Sequence, residues 1–262
     1  MQRAKKSFGQ NWLVDETAVK KLIDSAELKK GERVLEIGPG TGIITKALID
    51  AGADVTSVEF DHELIAPLRE KFGDSFELIE GDALALLPDQ YPKNPYKLVS
   101  SIPYNITSDI LKTFLTTSNP PVMMCLVVQK EVAQRMCAKP PQMSLLAVVC
   151  QLYAKCEYVD TIKAGAFRPI PKVDSAVVKL TRYLNGYPDL GSLNAEQVIR
   201  IAKLGFSSKR KQLQKNLASL PADKWSVDVK STLQELGISQ DVRAENLTVD
   251  EWIKLVGKMR GV

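Results

Sequence analysis

The run Val34-Leu35-Glu36-Ile37-Gly38-Pro39-Gly40-Thr41-Gly42 constrains this 262-residue chain more than any other. Its apolar start reads as a buried strand, its glycines as a turn, and the residues from Ile43 as a helix. Glycines let a backbone approach a ligand closely and take φ values that other residues resist. The spacing is Gly-x-Gly-x-Gly. A dinucleotide-binding turn calls for Gly or Ala at position 43, where this chain has Ile, and no Gly-Lys-Ser/Thr follows to make a P-loop.

A close turn so poor in phosphate-binding features suits a nucleoside carrying a sulfonium and an amino acid, S-adenosylmethionine. The next carboxylates sharpen that expectation. Asp54 to Glu59 reads as a second strand ending in an acid, where a doubly wound sheet accepts hydrogen bonds from ribose hydroxyls. Phe76 to Glu80 reads as a third strand, and Asp82 beyond its end can accept from the exocyclic amine of an adenine. Both acids then sit in one crevice at the carboxyl ends of the strands, where open α/β sheets bind ligands.

The alternation continues. Lys97 to Ile102 reads as a fourth strand, Thr107 to Thr117 as a helix, Val122 to Gln129 as a fifth strand, and Glu131 to Met136 as the start of another helix. Strand-like runs follow near Val148 to Val159 and Val173 to Tyr183. Strands alternating with helices predict an α/β fold, a mostly parallel sheet covered on both faces. From about Asn194 the periods turn helical, through Val198, Ile201, Ala202 and Gly205 and then Leu233, Leu236 and Ile238 around a Gly237 stop signal. Gly186 to Gly191 reads as the linker. The expected division is an α/β domain over 1–185 and a small all-helical domain over 186–262.

With 45% hydrophobic residues the chain can bury a full core. It holds no apolar run of membrane-spanning length and no secretory signal at its start. Cys125, Cys137, Cys150 and Cys156 show no C-x-x-C pairing and read as reduced thiols of a cytoplasmic protein. The single histidine, His62, makes a catalytic triad or a zinc site a poor reading, and no metal is expected. The net charge of +4 is concentrated: from Asn194 onward there are twelve Lys or Arg against eight Asp or Glu. Lys209, Arg210, Lys211 and Lys215 form the densest cluster, and Arg3, Lys5 and Lys6 another, on either side of the crevice residues along the chain. That placement favours phosphate contacts and hence RNA.

Ser101-Ile102-Pro103-Tyr104 ends the fourth strand beside the expected donor. The Ser101 hydroxyl and the carbonyls of Ile102 and Pro103 can accept hydrogen bonds from an exocyclic amine, while Tyr104 can stack on its base. Proline fixes the turn that aims those carbonyls inward. An adenine amine is a poor nucleophile because its lone pair is delocalised into the ring. Accepting its N–H bonds out of the ring plane localises that pair, and the proton can leave after attack without a general base.

These residues carry a resemblance that runs nearly end to end. The chain resembles the small-subunit ribosomal RNA adenine dimethyltransferase family, whose relatives include the macrolide-resistance methyltransferases. Lys6 to Leu13 resembles the family's N-terminal motif, with Trp12 where Phe is usual. Glu36 to Gly42, Glu59, Gly81-Asp82 and the Ile-Pro-Tyr turn follow in family order. Phe167-Arg-Pro-Ile-Pro-Lys-Val-Asp-Ser175 resembles a signature after the sixth strand. Lys209 to Leu217 and Arg243 to Val249 resemble motifs of the helical domain, which favour the ribosome-biogenesis enzymes over the resistance enzymes.

The resemblance implies a Rossmann-like methyltransferase sheet with helices on both faces, and S-adenosylmethionine as cofactor. Asn11 and Leu13 would close over the donor, Gly38 and Gly40 would border its amino-acid part, Glu59 would hold the ribose and Asp82 the adenine. Tyr104 and Phe167 would sandwich a flipped target base. The implied reaction places two methyls on each of two adjacent adenines in a loop near the 3′ end of small-subunit RNA, where unpaired bases splay out at low cost. The implied partner is the pre-ribosomal small subunit, and the chain would be a monomer away from it. Two departures stand out. The family normally has Asn where this chain has Ser101, one heavy atom shorter as an acceptor, and the loop over Ala138 to Ser144 is usually longer. Ser101 keeps open a second reading, a weakly active or inactive assembly factor on the same fold. A large-subunit resistance methyltransferase is a third.

Overall fold

The computed structural model describes residues 9–86, 90–188, 190–218, 220 and 228–260. The basic residues Arg3, Lys5 and Lys6 and the first part of the N-terminal motif lie outside them. The chain divides into two compact units, one running through Ala133 and including Cys156–Arg182, the other made of Gln134–Lys155 and the chain from Tyr183 onward.

The first unit is built on a seven-stranded sheet. Its strands are β2 (Arg33–Ile37), β3 (Asp54–Glu59), β4 (Glu77–Glu80), β5 (Tyr96–Ser101), β6 (Met123–Gln129), β7 (Ala154–Ile162) and β9 (Ser175–Arg182), in the spatial order β4-β3-β2-β5-β6-β9-β7. The pairings from β4 to β6 are parallel and β6–β9 is antiparallel. A two-stranded ribbon stands apart, β1 (Trp12–Leu13) against β8 (Phe167–Arg168).

The parallel strands are apolar on both faces because both are covered. Val34, Val55, Val99, Cys125, Val127 and Val177 pack with Leu22 of α1 (Glu16–Ser25) and with Ile44 and Leu48 of α2 (Ile43–Asp50). On the alternate positions Leu35, Leu98, Met124, Leu126 and Val128 are buried as well. Two further helices are α3 (His62–Phe72), after β3, and α4 (Thr107–Thr116), after β5. Asp15 and Asp61 begin α1 and α3 as caps, their carboxylates accepting backbone N–H groups that the helices cannot pair internally.

The second unit is helical around one core. It holds α6 (Leu145–Tyr153), α7 (Ala195–Gly205), α8 (Leu213–Leu217), α9 (Val229–Glu235) and α10 (Val249–Arg260); α5 (Lys130–Met136) runs across the division. Val148, Val198, Ile201, Leu213, Leu233 and the fully buried Trp252 meet in that core. Asn194 opens α7 with a reciprocal capping box to Gln197, and Gly237 ends the α9 turn at φ +70°.

Two expectations change. The run from Val148 to Val159 is not one strand: Ser144 caps α6, which continues to Tyr153, and β7 starts only at Ala154. The second unit also reaches further back than residue 186, because α6 buries its apolar residues in the helical core.

Candidate active site

Short-range ties align the strand ends that build the site. The Gly38 N–H donates to the Val58 carbonyl (2.8 Å) and the Gly81 N–H to the Glu59 carbonyl (2.9 Å). The Ser100 hydroxyl donates to the Ile37 carbonyl. The carboxyl ends of β2 to β5 are thereby held level around one cavity of about 310 Å3.

The glycine turn needs its glycines. Gly40 lies at φ +58°, and a Cβ there would meet the Trp12 ring at 2.9 Å. Gly42, the residue before α2, lies at φ +78°, and a Cβ would stand 2.5 Å from the Phe72 ring. A side chain at either position would be strained by backbone and by neighbour together.

Glu59 is the best-held acid of the cavity. Its side chain is buried, with one carboxylate oxygen accepting the Asp61 N–H at 2.8 Å and the other the Gly40 N–H at 3.2 Å. Burial raises its pKa, and the N–H bonds from Asp61 and Gly40 work against that rise. Behind it lies Glu36, fully buried, accepting the hydroxyls of Thr45 and Ser57 at 2.7 Å each. Burial pushes its pKa up to about 7, with the charge of Glu59 adding to the rise.

Asp82 is exposed and lines the same cavity, one oxygen accepting the Leu84 N–H at 2.9 Å. Phe60, between the two acids along the chain and 59% exposed, also lines it. Sequence reasoning missed Phe60; its signal is a large apolar residue directly after a strand-end acid. Asn11 and the β1 residues Trp12 and Leu13 also line the cavity, and the Gln10 amide donates to the Asp61 carboxylate at 3.1 Å.

The turn after β5 completes the cavity with Ser101, Ile102, Pro103 and Tyr104. No hydrogen bond to the Ser101 hydroxyl or to the Ile102 carbonyl is made among the described residues. Pro103 differs from expectation. Its carbonyl accepts the Ile106 N–H at 3.2 Å and the Thr107 hydroxyl at 3.3 Å, so it is committed to the turn that begins α4. The Tyr104 phenol is 2.6 Å from the Ser175 hydroxyl, a partner that sequence reasoning did not single out.

Phe167 also departs from expectation. It is 1% exposed, packs in the core of the first unit and does not line the cavity, although Leu13, its partner in the β1–β8 ribbon, does. With its ring covered, Phe167 presents no open face to the cavity beside Tyr104. In the second unit Lys209, Arg210, Lys211 and Lys215 are all exposed, the first three between α7 and α8 and the last on α8. Buried Asn216 ties this segment down, its amide donating to the carbonyls of Gly205 (2.6 Å) and Ser208 (3.0 Å).

The residues fit S-adenosylmethionine. Gly38, at φ +68° with nothing within 4 Å of where a Cβ would stand, leaves room for a close approach, Glu59 and Asp82 offer acceptors at successive strand ends, and Phe60 offers an apolar face in the same lining.

Relatives carry the same reading. Proteins named ribosomal RNA small subunit methyltransferase A are similar along nearly their whole length. That of Nostoc punctiforme is 40% identical over 99% of this chain and 96% of its own. That of Thermosynechococcus vestitus is 40% identical over 99% and 98%, and that of Rippkaea orientalis 39% over 97% and 96%. A dimethyladenosine transferase from Plasmodium falciparum shares the fold at a TM-score of 0.79 with 25% identity, covering 95% of this chain and 98% of that one. The 23S rRNA methyltransferase ErmE does so at 0.76 with 28% identity, covering 95% and 99%. The family model described as ribosomal RNA adenine dimethylase matches residues 1–260. The glycine turn, the strand-end acids and the Ile-Pro-Tyr turn around one cavity are thus those of a chain that belongs to the ribosomal RNA adenine dimethylase family.

Proposed function

We propose that this chain methylates the exocyclic amines of two adjacent adenines in the 3′-terminal loop of small-subunit ribosomal RNA, taking the methyls from S-adenosylmethionine. The observation that carries this reading is the convergence of Glu59, Asp82 and the Ser101–Tyr104 turn on one cavity in a member of this family. The higher identity to small-subunit enzymes than to ErmE favours the small subunit as substrate.

Glu59 holds the ribose hydroxyls, Asp82 and Phe60 hold the adenine, and Gly38, Gly40, Asn11 and Leu13 border the amino-acid end. The bound cofactor supplies an electrophilic methyl carried on a sulfonium. The protein's part in the transfer is to prepare the amine. The Ser101 hydroxyl and the Ile102 carbonyl accept its N–H bonds, and Tyr104 stacks on the base. Pro103 acts through shape: its ring fixes the turn and its carbonyl binds the start of α4. A target extruded from a loop costs less unstacking than one in a duplex, which suits a single aromatic platform.

The first unit is then the methyltransferase domain. The helical unit is the RNA- and ribosome-binding domain, with Lys209, Arg210, Lys211 and Lys215 on phosphates of the pre-ribosomal small subunit. No helix among the described residues is long and apolar enough to cross a membrane, and we place the protein in the cytoplasm as a monomer away from the ribosome.

The test is a side-by-side incubation of labelled S-adenosylmethionine with small subunits from cells lacking the dimethylation and with large subunits. The reading expects label in the small subunit alone, with primer extension stopping at the two loop adenines. Label in the large subunit overturns the choice of substrate.

A further inference from the structure

The Tyr104–Ser175 contact joins two segments that are 71 residues apart in the chain. Tyr104 lies in the short turn between β5 and α4, where no strand pairing holds its side chain. Among the described residues, the Ser175 hydroxyl is the one hydrogen-bond partner of its phenol. Ser175 is in the opposite situation. It is fully buried as the first residue of β9, opposite Gln129 in the antiparallel register with β6.

Its neighbour is braced on three sides. The Asp174 carbonyl accepts the Lys130 N–H at 3.0 Å, and its carboxylate accepts the Ala164 N–H at 3.0 Å and Lys163 Nζ at 3.1 Å. The Ser175 hydroxyl is therefore a fixed point and Tyr104 a side chain that needs one. Burial of the phenol raises its pKa, and the Ser175 hydrogen bond works against that rise.

We infer that Ser175, which does not line the cavity, is a positioning residue that holds the Tyr104 ring in the plane on which the target adenine stacks. The inference rests on the proposed stacking of the target on Tyr104. A ring anchored at both its Cβ and its hydroxyl has lost its torsional freedom before the base arrives, so binding need not bear that ordering cost. The demand is greatest for the second methyl. A monomethylated amine has a single N–H left to aim and a methyl to accommodate, so a tilted ring slows that transfer more than the first.

The test compares Ser175→Ala, Tyr104→Phe and the double variant with the wild type on undermethylated small subunits. Cofactor affinity is measured in parallel, and products are resolved into mono- and dimethyladenine. Removing the bond from either side is expected to lower transfer roughly three- to tenfold, the size of one neutral hydrogen bond. Monomethyladenine should accumulate and cofactor affinity should stay within twofold of wild type. The double variant should lose no more than either single, since both remove one interaction.

Wild-type transfer and product ratio in Tyr104→Phe overturn the inference, and so do losses that multiply in the double variant. Tyr104→Phe leaves buried Ser175 intact, so it decides the matter even if Ser175→Ala does not fold. Tyr104→Ala separates this inference from the reading beneath it. If that variant also transfers at the wild-type rate, the stacking itself fails, not only its anchoring.

Discussion

Replacing Glu59 by Gln tests the ribose assignment with an isosteric change. The two carboxylate oxygens accept two backbone donors, Asp61 N–H at 2.8 Å and Gly40 N–H at 3.2 Å. An amide has one oxygen, so whichever way it turns, its NH2 faces one of those donors. An orphaned buried donor costs about 1–3 kcal/mol. Burial already disfavours the Glu59 charge, and a neutral amide relieves that penalty, so the net loss of stability should stay below about 2 kcal/mol.

Binding is affected differently. The misplaced donor is present with and without the cofactor and cancels from the affinity. What remains is the loss of a charged acceptor for the ribose, worth roughly 1.5–3 kcal/mol. The dissociation constant should therefore rise by about 10- to 150-fold. Calorimetric titration should show this equally for S-adenosylmethionine and for its demethylated product, which carry the same ribose. Unchanged affinity, or a loss confined to the methylated form, refutes the assignment.

Other perturbations probe other parts of the fold. Glu36 has its pKa raised from the ordinary 4.5 to about 7, so its contribution to stability is present below pH 4.5 and is lost as pH rises through about 7. Glu36→Gln should therefore melt progressively higher relative to wild type between pH 5 and 8, roughly, as followed by circular dichroism; a constant difference speaks against the buried carboxyl. Gly205→Ala would set a Cβ 2.4 Å from the Trp252 ring and 2.8 Å from Leu213, and overpacking of this kind should lower stability by about 1–3 kcal/mol in denaturant titration. Asn216→Ala frees the segment bearing Lys209, Arg210 and Lys211, and should weaken small-subunit binding several-fold while leaving cofactor affinity unchanged. Ser101→Asn, which lengthens the acceptor by about one heavy atom, should preserve or raise methyl transfer; a loss would show serine to be a working adaptation.

Most of the cavity lining was legible in the sequence because its motifs are local. Glycine turns, strand-end acids and a proline turn are each written in consecutive residues, and the α/β alternation orders them around a common edge. What it concealed depends on distant packing. Leu145 to Cys150 is a continuous apolar run that reads equally as strand or helix, and burial against the helical core accompanies its place in α6. Phe167 carries a family signature, yet packing in the core of the first unit buries its ring. The Pro103 carbonyl was assigned to substrate because the turn's own needs at Ile106 and Thr107 are invisible before folding. The Tyr104–Ser175 hydrogen bond joins residues 71 apart in the chain, across the intervening β6, and leaves no local trace.

Nucleoside mass spectrometry of small-subunit RNA tests the methyl transfer itself. Undermethylated subunits would be incubated with the purified protein and S-adenosylmethionine, using wild type and Tyr104→Ala. The wild type should form dimethyladenosine and the variant roughly 5- to 150-fold less, the worth of one base–aromatic stack. Binding of cofactor and subunit by the wild type with no methylated adenosine formed would contradict the proposed transfer, and would make the chain an assembly factor built on a methyltransferase fold.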